Sequence, residues 1–304
     1  MSIVGATGQA TNRSYIQLPG DVSNDIIQKT QEQSAVMALA RKVNLPGWGL
    51  TIPIITSDPE AEWIAETEAK PVKDPGIDKK VMQAYKLAVI VPFSDEFRRD
   101  AKNLYDNLVA RLPLALAAKF DATVFHGNAP GSNFDTLKSC TAQTLTSDPY
   151  AGLVAAEMDI ADHNGALNAF VLSPTGRGAL LAATDNNNRP LFINSAAEGA
   201  IPMILGHRVV NSKAAYKAAT APNPDVVGIA GDWTQAMYGI VNGINISISD
   251  QATLSLSGGG TINLWQQNMF AVRAEIEVGF RADTSCFDLL KWAPTGATGA
   301  TGNT

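Results

Sequence analysis

The sequence predicts an α+β fold, and three observations carry that expectation. From Phe97 to Val124 apolar residues recur at three- and four-residue intervals, the spacing of one long amphipathic helix. From Phe270 to Phe280 they alternate strictly with Ala271, Arg273, Glu275, Glu277 and Gly279, the spacing of a strand with one apolar face. Between these two elements, short β-branched runs are interleaved with helical patterns and punctuated by proline, glycine and asparagine.

Taken in order, residues 1 to about 15 are small and polar and read as a mobile arm. An amphipathic helix is expected from Asp21 to Lys42, with Ser23 as its cap and Ile26, Ile27, Val36, Met37 and Leu39 as its apolar positions. LPGWG (45–49) ends it, and LTIPII (50–55) is a short strand. The segment EWIAETEAKPVKDP (62–75) then puts Trp63 and Ile64 among four acids, two lysines and two prolines. It is too polar for core and too irregular for helix or strand, and belongs to an excursion running to about Asp78. VMQAYKLAVIVPFS (81–94) reads as the returning strand.

The long helix follows directly. Ser94 is a natural N-cap, and Asp95 and Glu96 sit where the helix dipole favours acids. Phe97, Ala101, Leu104, Leu108, Leu112, Leu116, Phe120 and Val124 mark about thirty residues, roughly 45 Å at about 1.5 Å per residue, with a kink expected at Pro113. HGNAPGSN (126–133) closes it. Farther on, a helix is expected over 150–162 and a strand at NAFVLS (168–173), after which Ser173-Pro174 supplies a cap and an N1 proline for GRGALLAA. DNNNRP is a turn, HRVVNS, VVGIAG and INISIS are strands, SGGGT (257–261) is a loop, and the tail PTGATGATGNT is expected to be disordered.

Composition bounds the function. The chain has 304 residues, 45% of them hydrophobic and only 17% charged, which fills a core but leaves little charge to cover an exposed monomer. That favours surface hidden in an assembly. The net charge of −6, with no basic run longer than two, disfavours direct nucleic-acid binding. Cys140 and Cys286 lack C-x-x-C spacing and read as reduced thiols, not a disulfide or metal site. No apolar signal region opens the chain and no window approaches eighteen apolar residues, so a soluble chain made in the cytosol, with no membrane contact, is expected.

Enzymatic motifs are weak. VGATGQAT resembles a dinucleotide-binding turn, but only four residues precede Gly5 and Thr11 stands where a third glycine is expected. A nucleotide-dependent oxidoreductase would rest on that stretch alone, and a mobile arm accounts for it better. SGGGT lacks the lysine and hydroxyl residue of a phosphate loop and suits a hairpin connection. His126, His163 and His207 fall on separate elements, without the spacing of a metal site or of a nucleophile–histidine pair. No cofactor and no metal are expected.

The order of these elements resembles the major capsid proteins of tailed bacteriophages, the Hong Kong 97 fold, from about Tyr15 to Trp292. YIQLPGDVSNDIIQKTQEQSAV is similar to the start of that family's N-arm, LTIPIITSDPEAEWIAETEAKP to its extended E-loop, and YKLAVIVPFSDEFRRDAKNL to the strand that runs into its spine helix. VLSPTGRGALLAATDNNNRPLF, LGHRVVNS and GDWTQAMYGI resemble its axial domain, and NMFAVRAEIEVGFRADTSCFDLL the closing strand of its peripheral domain.

The resemblance implies an N-terminal arm over 1–48, E-loop and flanking strands over 49–90, and a peripheral domain with the spine helix over 91–145. An α/β axial domain then covers 146–262, the peripheral closing strand 263–293 and a tail 294–304. It also implies hexamers and pentamers in an icosahedral shell that encloses phage DNA without binding it specifically, assembled in the bacterial cytoplasm and retained in the virion. An encapsulin-like nanocompartment is the alternative on the same fold. Because only about fifteen residues precede the matching region, a separate scaffolding protein is expected, with a portal and, as further partners, a protease or decoration proteins.

Two sets of site residues follow from the resemblance. Trp63 and Ile64 would be buried only against a neighbouring subunit. Lys70, directly before Pro71, matches the E-loop lysine that forms an isopeptide bond in the founding member, Asn268 matches the partner asparagine, and Glu275 matches the assisting glutamate. Seven extended residues span roughly 23 Å at about 3.3 Å each, so one straight strand cannot bring Asn268 and Glu275 together. Without a crosslink, the same residues are an exposed loop lysine, an asparagine capping the start of a strand, and a glutamate paired with an arginine such as Arg273 or Arg281 of a neighbour.

Overall fold

The protein is described from a computed structural model covering residues 34–57, 61–64, 70, 72–74, 76–100, 102–146, 148–184, 189, 191–192, 203–220, 223–255 and 260–293. Helix α1 (Ala35–Leu39) leads to strands β1 (Arg41–Asn44), β2 (Leu50–Ser57), β3 (Gly76–Met82) and β4 (Tyr85–Ser94), then helices α2 (Asp95–Asp100) and α3 (Lys102–His126). Strand β5 (Thr141–Thr144), helix α4 (Pro149–Asp162), strand β6 (Ala169–Leu172) and helix α5 (Pro174–Leu181) follow. The remainder is β: β7 (Met203–Ile204), β8 (His207–Asn211), β9 (Asp225–Gly231), β10 (Ala236–Ile240), β11 (Asn245–Ser249), β12 (Thr253–Ser255), β13 (Thr261–Asn263), β14 (Met269–Ala282) and β15 (Phe287–Trp292).

The first sheet is organised by β14. Strand β4 lies antiparallel along one edge, from Met269↔Ser94 to Val278↔Tyr85. On the opposite edge β10 pairs with Val278–Ala282 and β11 with Ala271–Glu275, both antiparallel, and β1 adds parallel to β10. The expected alternation holds where one face meets solvent: Val272, Ala274, Ile276 and Val278 are buried while Arg273 is exposed and Glu275 and Glu277 are half-buried. Toward its end β14 is covered on both faces, and Gly279 and Arg281 are buried too.

Helix α3 packs on the apolar face of this sheet. Phe120 meets Phe280 edge-on at 6.4 Å between ring centroids, and Leu112, Leu116 and Val124 join the same core. Ser94 caps the helical run as expected, its Oγ accepting from the Phe97 amide at 3.1 Å. The helix runs unbroken across Pro113.

A second, six-stranded sheet has the order β5-β15-β9-β6-β8-β7 and mixes parallel with antiparallel pairs. Strand β6 is buried along its whole length because the sheet is sandwiched. Ala169 and Val171 face the α3 core, while Phe170 and Leu172 face Leu153, Ile160 and Leu180 of α4 and α5. Asp148 and Ser173 cap these two helices through the Ala151 and Gly176 amides, each with proline at the first position.

Several expectations are corrected. The helix expected to reach Lys42 ends at Leu39, with Ala40 extended, and Arg41–Asn44 joins the first sheet beside β10. Tertiary pairing there overrides a helical periodicity whose earlier part, including Ser23, lies outside the described residues. The strand expected over 81–94 is two strands divided at Gln83-Ala84. Strand pairing also joins segments on either side of 262/263. Residues 236–249 pair with β14, whereas β15, expected with the closing strand, pairs with β5 and β9 in the other sheet. Hydrogen-bond register decides this, and a linear reading does not contain it. The DNNNRP turn and most of SGGGT lie outside the described residues, although β12 and β13, which flank SGGGT, pair antiparallel.

Candidate intersubunit surface and crosslink residues

The hairpin of β2 and β3 runs in register from Leu50↔Met82 to Ile55↔Ile77 and leads into the segment bearing Trp63 and Lys70. Lys73 Nζ meets Glu62 Oε1 at 2.9 Å, linking the outgoing and returning limbs. Trp63 is fully exposed at 104% of its reference area, Val72 is 92% exposed and Ile64 sits at 37%. Lys70 is exposed as well. An indole held in water forgoes the stabilisation that burial normally brings an aromatic side chain, so its presence here is a property of the surface, not of the core.

The base of the hairpin is rigidly anchored. Arg281 of β14 donates from Nε to the Val81 carbonyl at 2.7 Å and from Nη1 to Asp135 Oδ1 at 2.6 Å. Its Nη2 donates to Asn133 Oδ1 at 3.1 Å, and Lys80 Nζ donates to the Ala282 carbonyl at 3.1 Å. These contacts tie β3, β14 and the loop after α3 into one unit. A second exposed aromatic, Trp48 at 89%, projects from the turn joining β1 to β2. Gly49 closes that turn at φ +97°, where a Cβ would also lie 2.9 Å from the Met82 carbonyl oxygen, so glycine is required. Trp48 was not among the expected site residues, although LPGWG carries the signal: a tryptophan between two glycines has little chain around it to bury it.

The remaining expected residues lie on or beside β14. Asn268 ends the turn before the strand with φ +52°, a left-handed conformation that asparagine tolerates, and its carbonyl accepts from the Asp95 amide at 3.3 Å at the start of α2. Glu275 is half-buried at mid-strand, where Oε1 accepts from Asn245 Nδ2 at 3.3 Å and Oε2 faces Arg273 Nε at 3.6 Å. The glutamate therefore pairs with an arginine of its own chain. Arg281 is committed to Asp135. With β14 continuous from Met269 to Ala282, the structure does not bring Asn268 and Glu275 of one chain together.

Buried carboxyls stand elsewhere, at Asp121, Asp232 and Asp288 among the described residues. Asp121 of α3 accepts from Ser34 Oγ at 2.5 Å and from the Ala35 amide at 2.8 Å, locking α1 onto the long helix. Burial pushes it up to about 6, against the hydrogen bonds from Ser34, Ala35 and Val36. Asp288 of β15 is fully buried and raised chiefly by burial, with the adjoining Asp159 carboxyl raising it further and the Gln143 amide and His163 opposing. Cys140 and Cys286 are free thiols, and burial holds Cys140 up at about 12. His126, His163 and His207 sit at the end of α3, at the C-cap of α4 and in β8. Among the described residues no group of three or more potential ligands converges as a metal site, and no helix is long and apolar enough to cross a membrane.

A central long strand with a helix laid along it, a second mixed sheet, and a projecting hairpin with exposed aromatics define a structural protein of the capsid type. The chain belongs to the phage capsid family, whose model matches residues 16–284, and it has the Hong Kong 97 fold. It is 27% identical over 293 residues to the probable major capsid protein gp17 of Mycobacterium phage D29, covering 92% of this chain and 90% of that protein. It is 24% identical over 282 residues to the major capsid protein of Staphylococcus phage 80alpha, covering 90% and 84%. A solved structure from Mycobacterium phage Ogopogo aligns with TM-score 0.72 at 17% identity, covering 86% of this chain and 92% of that one. One from Microbacterium phage Oxtober96 aligns at 0.70 and 18%, covering 94% and 96%. At these identities the structures speak for the fold.

Proposed function

We propose that the chain is the major capsid protein of a tailed bacteriophage, building an icosahedral shell around packaged DNA as hexamers and pentamers and remaining in the virion. Family membership supports the capsid role, and one structural observation supports assembly: Trp63 is fully exposed on a hairpin whose base is locked into the chain's own sheet. Such a hairpin serves as the E-loop, lying across a neighbour. Helices α2 and α3 serve as the spine, the β14 sheet as the peripheral domain and the six-stranded sheet as the axial domain. On sheet membership, 236–249 belong with the peripheral part and 287–292 with the axial part. The net charge of −6 suits a wall that must not hold DNA through counterion-releasing contacts.

Crosslinking of Lys70 to Asn268 is part of the same proposal. Nζ of Lys70 attacks the Asn268 side-chain carbonyl and the C–N bond to the amide nitrogen breaks. That nitrogen leaves as ammonia after taking up the proton the amine gives to the base. Lys70 is exposed on the hairpin, and Asn268 sits on a fixed turn beside α2. Glu275 would act as base from a third position supplied by another copy, its partners Asn245 and Arg273 being displaced. Electron microscopy of purified particles tests the shell: closed icosahedral particles containing DNA are expected, and a chain that stays monomeric in infected cells defeats the reading. Particles filled with protein instead of DNA would indicate a nanocompartment.

A further inference from the structure

A cavity of about 380 Å³ opens between β4 and the C-terminal half of α3. This is within the range of ~300–1,000 Å³ in which proteins enclose organic groups. Three aromatic rings, Tyr85, Phe120 and Phe134, and the Leu87 side chain line it, and Lys86 and Lys119 stand beside them. Phe134 meets both other rings edge-on, at 6.1 Å from Tyr85 and 6.3 Å from Phe120. Lys119 is exposed, and the Lys86 side chain is 70% exposed although it reaches Glu277 at 3.0 Å. The opening is thus mainly apolar within, where the largely buried Phe120 and Phe134 contribute little ring surface beside Tyr85 and Leu87. It has two lysines at its margin, one of them shared with Glu277.

The same chain carries the complementary shape and charge. Residues 58–75 hold six acids against two lysines, and Trp63 follows Glu62 directly. At 104% exposure the Trp63 side chain is not buried against the described residues of its own chain. We propose that the cavity is a socket for Trp63 of a second copy. The indole seats against Tyr85, Phe120 and Phe134, and Lys86 and Lys119 meet the acidic flank of the incoming hairpin. Edge-on aromatic packing and cation–π contact both favour an indole in such surroundings. Knob and socket lie on different parts of one chain, and within the proposed hexamers and pentamers the contact is passed head to tail from copy to copy around the ring. The inference rests on the shell reading and names the surface that receives the arm.

Paired cysteines test the contact. Trp63→Cys combined with Thr123→Cys, which lines the cavity, is expected to give a ladder of disulfide-linked oligomers on non-reducing gels of oxidised particles. Neither single variant should do so. Intact particles of the double variant that run only as monomer overturn the socket. If the double variant does not assemble, a mutant cycle decides. Ala122→Phe, which fills the cavity, should lower the disassembly temperature of particles by several degrees, and adding Trp63→Ala should lower it little further. Fully additive losses overturn the socket. Absence of wild-type particles defeats the shell reading instead, so the two failures are distinct.

Discussion

Arg281 and Asp135 share a 2.6 Å charge-assisted hydrogen bond that joins the end of the central strand to the loop after the long helix. The arginine also carries the Val81 carbonyl, so the hairpin's angle of departure depends on this pair. Arg281→Met is expected to destabilise the chain by about 3 kcal/mol, since it leaves Asp135 half-buried without its fork partner. Urea unfolding measures the loss, and hydrogen exchange should rise first in β2 and β3. A variant with unchanged stability and exchange would show that the pair does not hold the hairpin.

The two tryptophans Trp233 and Trp63 should respond oppositely to truncation. Trp233 is buried, packs edge-on to Phe287 at 5.2 Å and donates from Nε1 to the Ala169 carbonyl. Trp233→Ala should cost roughly 3–5 kcal/mol of folding stability. Trp63→Ala should shift the unfolding midpoint of the chain hardly at all while lowering the yield or heat stability of particles. Unfolding of the isolated Trp63 variant would place that residue in the core and end the arm reading.

Stability should increase on mild acidification. The Asp121 carboxyl, ordinarily near 3.8, is held up at about 6 by burial, so between those values the folded chain binds the proton and the unfolded chain does not. Its contribution is therefore fully present below about 3.8 and is lost as pH rises through about 6. Asp288 is shifted in the same direction and adds to the slope. The Asp121 part is on the order of 2–3 kcal/mol over the whole window. Asp121→Asn keeps an acceptor for Ala35 and a donor for Ser34, and should flatten the profile measured by denaturation from pH 4 to 7. An unchanged slope would assign it to other groups.

Denaturing gels test the crosslink. The lysine must attack as the neutral amine, so a proton acceptor beside it and a dry contact are necessary. Boiled mature particles are expected to give ladders or material too large to enter the gel, lost in Lys70→Arg and reduced in Glu275→Gln. A single monomer band would sink the bond while leaving the shell untouched.

Local chemistry determined much of this protein from the sequence alone. The Ser94 cap, the three-and-four periodicity after it, the alternation of β14 and the Ser173-Pro174 start of α5 are short-range signals, and the structure has each where the residues place it. The exposure of Lys70 and Trp63 was legible because a polar, proline-bearing excursion stands out from its surroundings. Pairing partners were not legible. That Arg41–Asn44 forms a strand, that β10 and β15 belong to different sheets, and that Arg281 turns inward to Asp135 while Arg273 stays outside all depend on contacts between residues far apart in the chain. Periodicity reports which face of an element is apolar, but the free energy that selects a neighbour comes from hydrogen-bond register and close packing. Both exist only once the tertiary structure has formed.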